Sequence, residues 1–290
     1  MKSMDINGHK TSIIRLFNKY QELVGMGFLV SEHYALTCAH VVAEALLIDS
    51  TTQSRPEGEI KVNFPLLNSK DKFPARVVCW HPVSPLEDSE EAIEDIAVLK
   101  LDNLPASAHP TRLLLSENLA TNPFTVFGCP AGVPNGGWAN GVLSEQNAKQ
   151  WIQLEDTKVS GYAIEPGFSG SPVWDEKLQG VVGMVVAADR KRETAKVAFM
   201  IPTQILFKAW SQLESIVIRT QEIEKPVKPG LLPAKKKFLE QRKRELEENV
   251  EAVRKQMGFT SDLDKSRNLE QKITFYFEKI EEIDRELGGF

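Results

Sequence analysis

EPGFSGSPVW, residues 165–174, decides how the rest of this chain is read. Gly167, Ser169 and Gly170 surround one bulky side chain, Phe168, and Pro172 closes the stretch. Two serines, Ser169 and Ser171, lie two residues apart. Small residues at this density let neighbouring backbone N–H groups converge on one side of a turn, which forms an anion-binding concavity. A serine placed there becomes a nucleophile only if a base lies within hydrogen-bond reach and a third group orients that base. The stretch alone leaves a plain turn before a strand as an equal reading.

Two upstream segments supply the missing groups. In LTCAHVV, residues 36–42, His40 follows a β-like run and is flanked by small and apolar residues. In IEDIAVLKL, residues 93–101, Asp95 heads an apolar strand, where a carboxylate is unfavourable to bury without a partner. Taken singly, His40 reads more readily as a packed, hydrogen-bonded histidine than as a catalyst, and Asp95 equally as a strand-capping or loop acid in the acidic run 90–95.

Taken together and in this order, TCAH, DIAVLKL and GFSGSP resemble the three signature segments of the trypsin-like serine proteases. The resemblance extends over residues 20–215. GMGFLV, residues 25–30, looks like the strand before the histidine, and VAFMIP, residues 197–202, looks like the last barrel strand of the HtrA-like branch. The fold this implies is mainly β, a double six-stranded β-barrel of the chymotrypsin type, here followed by a C-terminal α-helical hairpin.

The resemblance also assigns roles. It makes Ser169 the nucleophile of a serine endopeptidase, His40 its general base and Asp95 the residue that holds the imidazole. It places the oxyanion hole at the backbone N–H groups of Gly167 and Ser169, and makes Ser171 structural. The specificity pocket falls at Ala163, Val186 and Ala188, which implies a small or aliphatic substrate side chain. No metal and no cofactor is implied. Two departures from the family matter. Phe168 stands where trypsin has the aspartate that receives a newly cut N-terminus, so activation by that route is not expected. Gly25 and Val41 stand where secreted relatives carry a disulfide beside the histidine.

Outside the motifs, residues 24–201 read as many short β-rich runs separated by Gly, Pro, Asn and Asp, as in a sandwich or barrel. TQILFKAWSQLESIVI, residues 203–218, reads as one amphipathic helix with Thr203 as its N-cap. Residues 224–233 hold three prolines and a glycine and read as a linker. Residues 234–290 carry 13 basic and 13 acidic side chains and no strand pattern. There Leu239, Leu246 and Val253 recur every seven residues, with Val250 and Met257 between them and Lys243 breaking the series, and Leu269, Ile273, Tyr276, Ile280, Ile283 and Leu287 follow at +4 and +3 spacing, which predicts a helical hairpin. The predicted domains are therefore a protease domain at 1–223, the linker at 224–233 and a helical association module at 234–290.

The hairpin is similar in style to effector-associated helical modules attached to bacterial proteases in signalling and defence systems. Its apolar seam implies a protein partner or self-association. A formal charge of −5 argues against general nucleic-acid binding. The longest apolar run, GVVGMVVAA, is too short to span a bilayer. The first 20 residues lack the apolar core of a secretory signal, and the three cysteines, Cys38, Cys79 and Cys129, form no metal-binding spacing. The expectation is a cytoplasmic enzyme acting on a protein or peptide substrate. The rival readings are a catalytically silent peptide-binding module on a protease fold, and a helical adaptor.

Overall fold

The computed structural model describes residues 6–67, 71–86, 89–155, 162–188, 197–219, 233–258 and 263–288. The chain divides into two compact units, Met1–Glu222 and Ile223–Phe290.

The first unit opens with a short helix, α1 (Ile6–Ser12), which runs directly into β1 (Ile13–Phe17). β2 (Leu23–Leu29) and β3 (Tyr34–Thr37) follow, then α2 (Ala39–Leu46), β4 (Ile60–Asn63), β5 (Phe73–His81) and β6 (Ile96–Leu101). All pairings are antiparallel, and the order β1-β2-β3-β6-β5-β4 closes because β1 also pairs with β4. Closure removes the unpaired edges that an open sheet would expose. The two-residue β7 (Leu114–Leu115) leads to the second barrel. Its strands are β8 (Pro123–Gly128), β9 (Gly137–Gln146), β10 (Ile152–Glu155), β11 (Pro172–Asp175), β12 (Gly180–Ala188) and β13 (Val197–Pro202). They close in the order β10-β13-β12-β11-β8-β9. The chain therefore has the double six-stranded barrel of the chymotrypsin fold.

Each barrel is filled by its own inward-facing side chains. Phe28, Leu36, Val62 and Leu99 are buried in the first, and Phe124, Val126, Leu154 and Met200 in the second. The first cluster continues through Trp151, Trp174, Met184 and Val186 of the second barrel, so the seam between barrels is itself apolar core. A cleft set along that seam rests on packed walls.

After β13 the single helix expected over 203–218 is broken. α3 (Thr203–Ala209) stops at Trp210, a 3-10 turn covers Ser211–Ser215, and β14 (Ile218–Arg219) pairs in parallel with β7. Trp210 is the reason for the break: its backbone is extended (φ −143°, ψ 95°), and its ring packs edge-on against Tyr34 at 5.0 Å. Pro202, not Thr203, occupies the N-cap, and the Thr203 hydroxyl lies buried without a hydrogen-bond partner among the described residues.

The second unit contains α4 (Pro233–Gly258) and α5 (Leu263–Gly288), packed on each other as a hairpin through Leu246, Val250, Ile280 and Ile283, with Ile273 and Tyr276 alongside. These are positions that the helical spacing selected. The linker expected at 224–233 lies outside the described residues except for Pro233, and so do residues 259–262. No helix among the described residues is long and apolar enough to cross a membrane.

Candidate active site

The site is assembled from three places in the chain that the barrels bring to one cleft. β3 ends at Thr37, and the backbone at Cys38 stays extended (φ −76°, ψ 146°) before α2 begins at Ala39. That arrangement puts His40 in the first turn of a helix anchored by the buried Ala39, Val41 and Val42. Asp95 immediately precedes β6 and has a positive φ of 55°. A left-handed conformation is unusual outside glycine, although aspartate tolerates it better than most residues. It is held in part by the Asp95 N–H, which donates to the Pro82 carbonyl at 3.2 Å.

This backbone aims the Asp95 carboxylate at His40 twice. The His40 backbone N–H donates to Oδ1 at 2.8 Å, and the ring Nδ1 lies 2.7 Å from Oδ2. The aspartate side chain is 7% exposed and the histidine side chain 31% exposed, so one partner is buried while the other reaches the cleft.

The third place is the opening stretch. Phe168 N–H donates to the Glu165 carbonyl at 3.1 Å, with Pro166 and Gly167 between them and Gly167 at φ +104°. Pro at the second position and a positive-φ Gly at the third define a type II turn. A type I turn would need a negative φ at Gly167 and would turn the 166–167 peptide over. Gly167 is required here for a second reason: a Cβ would lie 2.3 Å from the Cys129 carbonyl oxygen. The N–H groups of Gly167 and Ser169 meet no acceptor among the described residues. Gly170 (φ +87°) and the carbonyl of Ser169 tie the next turn to the barrels, through Gly170 N–H to Val185 at 2.8 Å and Met26 N–H to Ser169 at 2.9 Å.

The two serines separate clearly. Ser171 is fully buried and donates to the Phe127 carbonyl at 2.6 Å. Ser169 lines a cleft of about 320 Å³ together with His40 and Asp95. Phe168 is fully buried, with its ring so close to Gly128 that a Cβ there would stand 2.3 Å from Cδ1. An aromatic ring in close-packed core thus anchors the turn.

Of the expected pocket residues, Val186 lines this cleft, Ala163 is half-buried and does not, and the side chain of Ala188 lies outside the described residues. Ile164 and Val185 complete the apolar wall, with the exposed Glu165 next to them. Ser50 and Val83, on the first barrel, were not anticipated; they arrive through loops with no motif of their own.

Cys38, His40 and Asp95 offer Sγ, N and O atoms within 4.8 Å of one another. Each of these groups is already engaged with a protein partner: Cys38 donates to Val185, and Asp95 accepts twice from His40. Burial first, and then the Asp95 charge, push the Cys38 thiol up, and Sγ lies 3.2 Å from the Val185 carbonyl, so it is a neutral donor, not a thiolate. Cys79 and Cys129 are likewise free thiols raised chiefly by burial. Gly25 and Val41 do face each other: a Cβ on Gly25 would meet Val41 Cγ2 at 2.6 Å.

Residues 25–184, more than half of the chain, match the family model of the trypsin-like peptidase domain. The chain belongs to that family. Residues 231–289 match effector-associated domain 9. A curated relative, the mitochondrial Protease Do-like 4 of Arabidopsis thaliana, is 29% identical over 194 residues, covering 64% of this chain. The match spans only 31% of that relative's length. Among solved structures, the inactive mutant form of Rv3671c from M. tuberculosis is similar at 19% identity and a TM-score of 0.49, covering 74% of this chain and 92% of that one. The serine endoprotease from Yersinia pestis is similar at 17% identity and a TM-score of 0.48, covering 72% and 64%.

Proposed function

We propose that this protein is a serine endopeptidase that cleaves protein or peptide substrates through an acyl-enzyme formed on Ser169. The observation that carries the reading is the double hydrogen bonding of Asp95 by His40 beside a cleft that also contains Ser169. Ser169 Oγ attacks the substrate carbonyl carbon, and the His40 ring takes its proton. Asp95 keeps the ring oriented and stabilises the imidazolium that forms. The oxyanion of the tetrahedral intermediate accepts from the N–H groups of Gly167 and Ser169. Donors of this kind are worth about 3–4 kcal/mol each in the transition state. His40 then protonates the leaving amine, and water releases the acyl group by the same steps in reverse.

The apolar wall of Ile164, Val185 and Val186 supports a small or aliphatic residue on the acyl side of the cut bond. Ala163 and Ala188 stay in the proposed pocket on the family resemblance alone, since Ala163 does not line this cleft. The α4–α5 hairpin and its match to an effector-associated domain support recruitment or control through residues 234–290, by a protein partner or by self-association, within a bacterial signalling or defence system. Three free thiols fit a cytoplasmic setting.

A fluorophosphonate probe followed by mapping of the labelled peptide tests the reading. Label on Ser169, lost in Ser169→Ala and accompanied by cleavage of a casein substrate, is the expected result. Folded protein that binds peptides yet neither labels nor cleaves, with or without a hairpin-binding partner, would instead make it a silent binding module.

A further inference from the structure

Asp95 has a weakness as an orienting group. Both of its carboxylate oxygens accept from His40, and no other donor reaches them among the described residues. Among the described residues, Asp95 is therefore held by no third side chain. Its aim depends on its backbone, and that backbone sits in the left-handed region, at φ 55°. Such a conformation persists only where the surroundings over-determine it.

Besides the Pro82 carbonyl of its own barrel, the surroundings that do so come from the other barrel. The turn between β9 and β10 is tightly built: Asn147 Oδ1 accepts from the N–H groups of Lys149 at 3.0 Å and Trp151 at 3.1 Å. Asn147 N–H donates to the Trp151 carbonyl at 2.9 Å, and Gln150 takes a positive φ of 61°. This turn presents two side chains to the segment that carries Asp95. Trp151 Nε1 donates to the Ala92 carbonyl at 3.2 Å, and the Lys149 ammonium forms an ion pair with Glu94 Oε1. Lys149 Nζ also stands 5.0 Å from the centre of the Trp151 ring.

The ion pair is not an ordinary surface one. The Glu94 side chain is 6% exposed, and its second oxygen is buried without a hydrogen-bond partner among the described residues. A buried carboxylate with a single partner depends strongly on that partner. Glu94 is also bonded directly to Asp95 in the chain, so any movement of its backbone turns the Asp95 carboxylate with it.

We propose that Lys149 is a positioning residue for the His40–Asp95 pair: by pairing with Glu94 across the barrel seam it fixes the backbone that aims Asp95 at His40. The two barrels are thereby coupled at the base of the site and not only along their apolar seam. The kinetic consequence rests on the peptidase reading given above; the geometric one does not.

The test compares full-length wild type with Lys149→Met, Lys149→Arg and the double variant Glu94→Gln/Lys149→Met. Two readouts are followed: the pH dependence of fluorophosphonate labelling at Ser169, and the low-field proton of the His40 ring in protein carrying 15N-histidine, assigned with His40→Gln. For Lys149→Met the labelling rate falls about 10- to 100-fold, as a misaimed catalytic group requires. The rising limb of its pH profile moves to lower pH, because Asp95 no longer supports the imidazolium, and the low-field proton is lost. Lys149→Arg restores the rate to within about threefold, since a guanidinium can pair with the same carboxylate.

The double variant removes the unpaired buried carboxylate, so it folds if Lys149→Met alone does not. It stays slow and without the low-field proton if positioning is the role. Labelling within about twofold of wild type together with a retained proton signal, in either folded variant, overturns the proposal. Should wild type not label at Ser169, the peptidase reading fails by itself, and the His40 proton in wild type and variants decides the positioning role alone.

Discussion

Asp95 receives two hydrogen bonds from a single residue, His40, through the backbone N–H at 2.8 Å and ring Nδ1 at 2.7 Å. The first bond makes the second specific. With Oδ1 occupied by the main chain, Oδ2 is the oxygen left for the ring, and the carboxylate cannot rotate without breaking both contacts. An Asp95→Asn variant keeps the shape and forfeits this logic. Its amide presents one acceptor and one donor where the site needs two acceptors, so either the main-chain bond or the ring tautomer is lost. The expected outcome is a drop in kcat of about 10⁴-fold with KM little changed, as the wrong tautomer causes in a triad. Steady-state cleavage of a peptide substrate, with circular dichroism as the folding control, checks it.

Gly167 offers an independent handle on the other half of the chemistry. Its φ of +104° and the 2.3 Å approach of a Cβ to the Cys129 carbonyl leave no space for a side chain. Gly167→Ala has to displace the turn, and a flip toward type I reverses the 166–167 peptide and with it the Gly167 N–H. With the proposed oxyanion role for that N–H, the expected loss is about 10²–10³-fold in kcat, the value of one such donor. The His40–Asp95 pair is built elsewhere, so its low-field proton persists in this variant. Simultaneous loss of that proton would show that the turn and the pair are not separable.

How much of this was legible in the sequence follows from where the information lies. Motif segments mark their candidates locally, so His40, Asp95 and Ser169 could be named as candidates, and all three line one cleft. Runs rich in β-branched and aromatic residues, such as those of β5, β6 and β12, announce themselves. β9 does not. Its inward face is Gly137, Ala139, Gly141 and Leu143, with no room for a Cβ at either glycine, so the alternation is real but has little apolar contrast. At Gly141 a Cβ would fall 2.0 Å from the Glu155 carbonyl oxygen. β1 and β4 are short, and β4 alternates around Lys61. The helix expected after Pro202 failed at Trp210, where packing on Tyr34 overrides local propensity. Lys149 and Glu94 lie 55 residues apart, and nothing in either local sequence signals their meeting.

Phe168 links the turn to the second barrel's core, and its removal separates stability from chemistry. The ring is fully buried against Gly128, and its N–H closes the turn that presents Gly167. Phe168→Ala leaves a cavity the size of a ring, for which about 3–5 kcal/mol of lost stability is expected. The turn loses its anchor as well, so labelling at Ser169 falls even at temperatures where the variant is folded. Phe168→Leu, which refills part of the volume, recovers most of both. Chemical denaturation together with labelling rates at a permissive temperature checks the pair; a Phe168→Ala protein labelling at the wild-type rate would mean that the backbone bonds alone hold the turn.

His9 gives the molecule a pH dependence that does not pass through the active site. It lies on α1, 6% exposed, stacked on Trp174 at 4.6 Å and 30°, with Trp138 at 6.1 Å. Neither ring nitrogen has a hydrogen-bond partner among the described residues. Burial first, and then the neighbouring Lys10 charge, lower its pKa from 6.5 to about 4. Between those values the unfolded chain binds the proton and the folded one does not, so stability rises with pH in that window. The contribution is fully present above pH 6.5, declines as pH falls, and is lost by pH 4. A shift of this size corresponds to about 3 kcal/mol, with a slope of at most about 1.4 kcal/mol per pH unit. His9→Phe keeps an aromatic ring between the tryptophans and has no proton to gain. Urea denaturation from pH 4 to 7 should therefore show a flatter profile for His9→Phe than for wild type, with the difference confined to that window. Parallel profiles would mean that His9 is solvated in the folded state.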